Sequence, residues 1–148
     1  MKSLSEYGEL CDGINFISVD DLIYINKRLI ETQTPHEPIA VIKPNELYSS
    51  QQSPGTYRYY EQTEDIFTLA SIMVYSLIKN HCFANANKRT AMQAAYIFLM
   101  LNGFELTASD DDFIEIAEGI SIDIYSREEV ADWLYHWSRE FDVRNLLV

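Results

Sequence analysis

The decapeptide HCFANANKRT, residues 81–90, brings together an imidazole, two amides and two adjacent cations. A histidine titrates near neutrality, so His81 is suited to take a proton from a hydroxyl or thiol. Asparagine tolerates the left-handed backbone region and caps helices, and Asn85, Ala86 and Asn87 therefore suit a tight turn, with Ala86 small enough to let a ligand reach the main chain. Lys88 and Arg89 stand where a long apolar helix begins. Free N–H groups and the helix dipole already make that end positive, so two cations there cost about 0.3–1 kcal/mol each unless an anion is bound. A phosphate removes the conflict, because helix N-termini are natural phosphate sites. A base, an anion-binding turn and two cations together point to phosphoryl or nucleotidyl transfer, in which positioning and charge neutralisation do most of the chemistry.

The elements that must position this loop are legible on both sides. Before it, EDIFTLASIMVYSLIK reads as a helix capped by Thr63, with acids in its first turn and Lys79 in its last. After it, AMQAAYIFLMLNG is apolar on nearly every side and stops at Asn102 and Gly103, the pattern of a central buried helix. Upstream, Ser18 caps a helix with Leu22, Ile25 and Leu29 on one face. Pro44 opens a short helix through NELYSSQQ, and SPGTYRYYEQ reads as a loop or hairpin. Two capping-box spacings, Ser109 with Asp112 and Ser126 with Glu129, start the last two helices, the second of which carries Val130, Trp133, Leu134 and Trp137. The expected fold is all-α with one small hairpin at most, since period-2 alternation is nearly absent.

Composition bounds the partners. A chain of 148 residues, 47% hydrophobic, supports one domain with a sizeable core. We divide it into an N-terminal arm (1–17), the folded domain (18–140) and a C-terminal tail (141–148). A net charge of -12 argues against nucleic acid as the main partner. The longest apolar run, Ala94–Leu101, is too short to cross a bilayer, no signal peptide is visible, and Cys11 and Cys82 form neither a disulfide framework nor a zinc pattern. A cytoplasmic protein is expected. Between Ile66 and Phe104 there is no Asp or Glu, which leaves a local positive field around Lys79, Lys88 and Arg89. Core helices generally lack charge, and that explains most of the missing acids. It does not explain Lys88 and Arg89 at a helix start.

HCFANANKR resembles the signature of the Fic/Doc family, and the flanking YSLIKN and TAMQAAYIFLMLNGFEL resemble the helices around it. The likeness runs from about Ser18 to His136 and is greatest to the Doc (death-on-curing) toxin branch, because Lys88 stands where AMP-transferring members carry glycine. The resemblance implies a Fic-fold helical bundle around a central buried helix, with a small β-hairpin flap. It implies an ATP-dependent transferase that places phosphate on a hydroxyl of a protein target, a translation GTPase being one lead. His81 would be the general base and Phe83 the loop anchor. Ala86 and Asn87 would form the anion nest and meet phosphate, and Arg89 would neutralise charge beside Lys88. Tyr57, Arg58 and Tyr59 fall where a target-binding flap would lie. Transfer of AMP or another nucleotide moiety, or a binding module without catalysis, are the alternatives.

Asn85 replaces the acid that holds Mg²⁺ in most of the family, which leaves metal use open. Met92 replaces an arginine common in AMP transferases. No glutamate fits the family's self-inhibitory pattern, since Glu118 precedes Gly119 but Ile114 holds the hydroxyl position, so restraint is expected from an antitoxin partner. Elsewhere the plainer readings are favoured: the tyrosines of residues 56–62 as cover for the core edge, Trp133 and Trp137 as core, His136 as structural or solvated, Cys82 as an ordinary thiol and the acids of residues 109–113 as helix capping.

Overall fold

The computed structural model describes residues 2–142; positions 143–148 of the expected C-terminal tail lie outside the described residues. After a short 3₁₀ turn at Leu4–Glu6 come two strands, β1 (Glu9–Cys11) and β2 (Ile14–Phe16), then helices α1 (Val19–Gln33), α2 (Pro44–Glu61), α3 (Ile66–Asn80) and α4 (Asn87–Leu101). Strand β3 (Phe104–Leu106), helices α5 (Asp110–Ser121) and α6 (Arg127–His136), and strand β4 (Ser138–Glu140) complete the order. The fold is helical. The β1–β2 hairpin and the β3–β4 pair, both antiparallel, are the two small sheets among the described residues. No helix among the described residues is long and apolar enough to cross a membrane.

Helix α4 is the buried centre, packed against α1, α3 and α5. Ala91, Ala94 and Ala95 are fully buried and let neighbouring helices approach, while Ile97, Phe98 and Leu99 fill the core around them. Helix α3 contributes Leu69, Ala70, Met73, Val74, Leu77 and Ile78 to the same core. Capping boxes at Ser18, Ser109 and Ser126 are present, each hydroxyl accepting from the third residue of its helix. Trp133 and Trp137 pack against the core from its edge, and His136 is exposed with its ring edge-on to Trp137.

Three local readings are corrected. Helix α3 is capped by Asp65, not Thr63: its carboxylate accepts from Phe67 N at 2.9 Å and Thr68 N at 3.3 Å, and a charged acceptor suits the positive end of the helix dipole better than a hydroxyl. Helix α2 does not stop at Gln52 but runs on through Pro54 and Gly55. Proline removes the N–H that would bond the Ser50 carbonyl, and Ser53 Oγ supplies the missing donor at 2.7 Å. The loop or hairpin expected at residues 53–62 is therefore helical as far as Glu61, and the one hairpin among the described residues is β1–β2. Tyr57, Arg58 and Tyr59, expected on a target-binding flap, lie in the last turns of α2 instead. Arg58 donates to the Cys11 and Asp12 carbonyls at 2.8 and 2.6 Å and pairs with Glu64 at 3.0 Å, fastening the hairpin turn to the α2–α3 junction, while the Arg127 guanidinium covers the Tyr57 ring.

Candidate active site

The loop of residues 81–86 joins the two most buried helices, and it is shaped by two residues in the left-handed region. His81, at the end of α3, has φ 48°, and Ala86, immediately before α4, has φ 62°. Neither is glycine, so each conformation costs about 1–2 kcal/mol that the surroundings must offset. They do so through side chains. Phe83 is buried beside Cys82 and roots the loop in the core. The Asn87 amide accepts from Phe83 N at 2.9 Å and donates to Phe83 O at 2.9 Å. Asn26, buried on α1, donates to the Asn85 carbonyl at 2.8 Å and to Thr90 Oγ1 at 3.0 Å.

A second support comes from the chain after α1. Residues 40–42 run extended beside the loop: Ile42 N and Lys43 N donate to the Cys82 carbonyl at 2.8 and 3.1 Å, and Ala84 N donates to Ala40 O at 2.9 Å, around a bridge between Val41 and Phe83. The Asn85 side chain adds a bond to Pro38 O at 3.0 Å, and Lys43 Nζ caps the Asn80 carbonyl at 3.1 Å. This segment, not residues 57–59, is the edge strand beside the loop. Its Ile39 and Ile42 side chains are exposed.

His81, Ala86, Asn87, Lys88 and Arg89 open into one cavity of about 660 Å³, walled on the far side by Asp110, Phe113, Ile114, Ala117 and Glu118 of α5 and floored by Met92. The His81 side chain is exposed. Ala86 offers no side-chain cap, so the first-turn N–H groups of α4 are left without an acceptor side chain. Asn87 spends its amide on the loop, which leaves its backbone N–H as the group it can offer to an anion. Arg89 is held by Gln33 Oε1 at 3.2 Å, Thr34 Oγ1 at 3.3 Å and Glu37 Oε1 at 3.5 Å. Glu37 thus meets part of the charge conflict noted in the sequence, whereas Lys88 makes no ion pair among the described residues.

A resident divalent cation does not fit this donor set. Asn85 offers only a neutral amide oxygen, its nitrogen being bonded to Pro38, and the described residues hold no group of three His, Cys, Asp or Glu side chains able to bind a metal. Asn26, Glu37, Asp110 and Glu118 were not singled out by sequence as site residues. Asn26 did leave a trace, being a polar residue on the Leu22–Ile25–Leu29 stripe of α1.

The sequence profile of the Fic/DOC family matches residues 16–99, which include the whole loop, all of α3 and α4 as far as Leu99. Among characterised relatives, the "Protein kinase doc" of Escherichia phage P1 is 32% identical over 75 residues, 51% of this chain and 59% of that protein. The "Toxin Doc" of Mycolicibacterium smegmatis is 37% identical over 59 residues, 40% of this chain and 44% of that protein. The chain spans about half the length of the curated relatives it matches. With the family match extending over more than half of the sequence and the loop placed between two buried helices, the chain belongs to the Fic/DOC family.

Proposed function

We propose that this chain is a Doc-like toxin that transfers the terminal phosphoryl group of ATP to a hydroxyl of a protein target. The observation that carries the reading is the convergence of His81, Lys88, Arg89 and the uncapped start of α4 on one cavity. In the reaction, the His81 imidazole takes the hydroxyl proton as the target oxygen bonds to the γ-phosphorus. The bond from that phosphorus to the bridging oxygen breaks, and ADP leaves. Lys88, Arg89 and the first-turn N–H groups meet the charge that develops on the phosphates. Lys88 in place of glycine and Met92 in place of arginine favour phosphate over AMP as the transferred group, and the name of the phage relative agrees with that choice.

The target is received along residues 38–42. In a bridge of the kind formed by Val41 and Phe83, Ala40 O and Ile42 N turn to the loop, so the Val41 N–H and C=O turn away and are free to pair with an added strand. Restraint comes from an antitoxin partner in the cytoplasm, consistent with the toxin name of the mycobacterial relative. Incubation with cell extract and ATP labelled at either the γ or the α phosphate tests the assignment. Protein label from the γ position, lost in His81→Ala, is expected. Label from the α position alone assigns nucleotidyl transfer instead, and label from neither leaves a binding module.

A further inference from the structure

Position 85 carries an amide where the resemblance implies a metal-binding carboxylate, and that amide already has a partner. Asn85 Nδ2 donates to the Pro38 carbonyl at 3.0 Å. Only a donor can meet a carbonyl there; a carboxylate would set acceptor against acceptor. The donor at residue 85 thus matches Pro38, and the amide oxygen left over is a neutral oxygen that holds a hard cation less strongly than a carboxylate. The two carboxylates that line the cavity do not repair the loss. Asp110 and Glu118 are eight residues apart on α5, on the order of 12 Å along the helix axis, too far to share one ion. The cations of the cavity gather at the α4 end, opposite the carboxylates of α5: Lys88 without an ion pair among the described residues, Arg89 beside Glu37, and the open N-terminus of α4.

We infer that the phosphate subsite of this chain works without a divalent ion, with Lys88, Arg89 and the α4 N–H groups meeting the phosphate charge, while Asn85 is a positioning residue that ties the target-docking segment to the loop. This deepens the phosphate-site reading and rests on it. Without an acid at residue 85 the loop offers a hard cation only a neutral oxygen, and the Asn85–Pro38 bond fixes the edge strand relative to His81.

Isothermal titration of the wild-type chain with ATP, in magnesium buffer and in EDTA, tests the first half. Dissociation constants within about threefold of each other are expected, and weakening by about tenfold or more in EDTA overturns metal independence while leaving the phosphate site in place. Binding in neither buffer overturns both. Asn85→Asp is expected to acquire magnesium dependence, binding ATP more weakly than wild type in EDTA and recovering with Mg²⁺. Hydrogen exchange at the Ile42 and Lys43 amides reads the tether: both Asn85→Asp and Asn85→Ala should speed it, Asn85→Ala without any gain in magnesium dependence. Unchanged exchange in both variants sinks the positioning role.

Discussion

The side chain of Asn87 and the main chain of Phe83 form a closed ring of two hydrogen bonds, each 2.9 Å long, in which the first residue of α4 grips the loop four residues back. The left-handed residues His81 and Ala86 lie just before Phe83 and Asn87 in the chain, so this clamp ties the backbone that carries the imidazole to the α4 N-terminus.

Asn87→Ala removes both bonds and leaves the Phe83 N–H and carbonyl short of partners. A loss of about 1–3 kcal/mol is expected. Denaturant unfolding checks the stability, and Asn87→Asp, which keeps the acceptor and loses the donor, should fall between the two. A larger fall in label transfer than in the folded fraction marks the clamp as a device of the site and not of the fold alone.

Asn26 is buried and serves two acceptors on different elements, Asn85 O and Thr90 Oγ1. Asn26→Leu should fill the space yet strand the Asn85 carbonyl, costing about 1–3 kcal/mol. Faster amide exchange confined to the loop and the first turn of α4 is the expected signature. Exchange that is raised evenly over the whole chain speaks against a local role.

Two glycines respond in opposite ways. A methyl group on Gly119 would overlap the Tyr125 ring, so Gly119→Ala should destabilise by about 1–3 kcal/mol. Gly55 lies inside α2 with open space around it, and Gly55→Ala should stabilise by about 0.5–1 kcal/mol. Thermal unfolding of the two variants beside wild type decides both.

Burial pushes the Cys82 thiol above its ordinary value of 9.0, against the opposing pull of its hydrogen bond with Ser50. Burial likewise raises Tyr7 and Tyr96 above 10.0. Each group is held neutral in the folded chain, so its contribution to stability is complete below the ordinary value and is lost as pH rises through the folded-state value. The denaturation midpoint should hold steady near neutrality and fall above about pH 9. Alkylation of the native chain near neutral pH should modify exposed Cys11 and spare Cys82.

Local signals carried much of the helical fold. The serines at 18, 109 and 126 each sit three residues before a carboxylate, and capping is a bond between near neighbours that needs no distant contact. The nearly all-round apolar character of residues 91–101 was enough to place α4 at the centre, because no other position satisfies such a helix in water. Pro54 misled for the complementary reason. Whether a proline breaks a helix depends on whether the stranded carbonyl finds another donor, and here Ser53 Oγ is that donor to Ser50 O.

The candidate loop divides the same way. Sequence alone determined that an imidazole, a turn of Asn and Ala residues and two cations stand together between two buried helices, since all of them lie within one short stretch of chain. Only the tertiary structure decided what surrounds them: that Glu37 reaches Arg89, that Asn85 is bonded to Pro38, that Asn26 braces the turn, and that residues 40–42 form the neighbouring edge. These contacts join positions distant along the chain, and no local periodicity encodes them. They arise from how α1 and α4 pack, which places the end of one helix and the segment after it beside the start of the other.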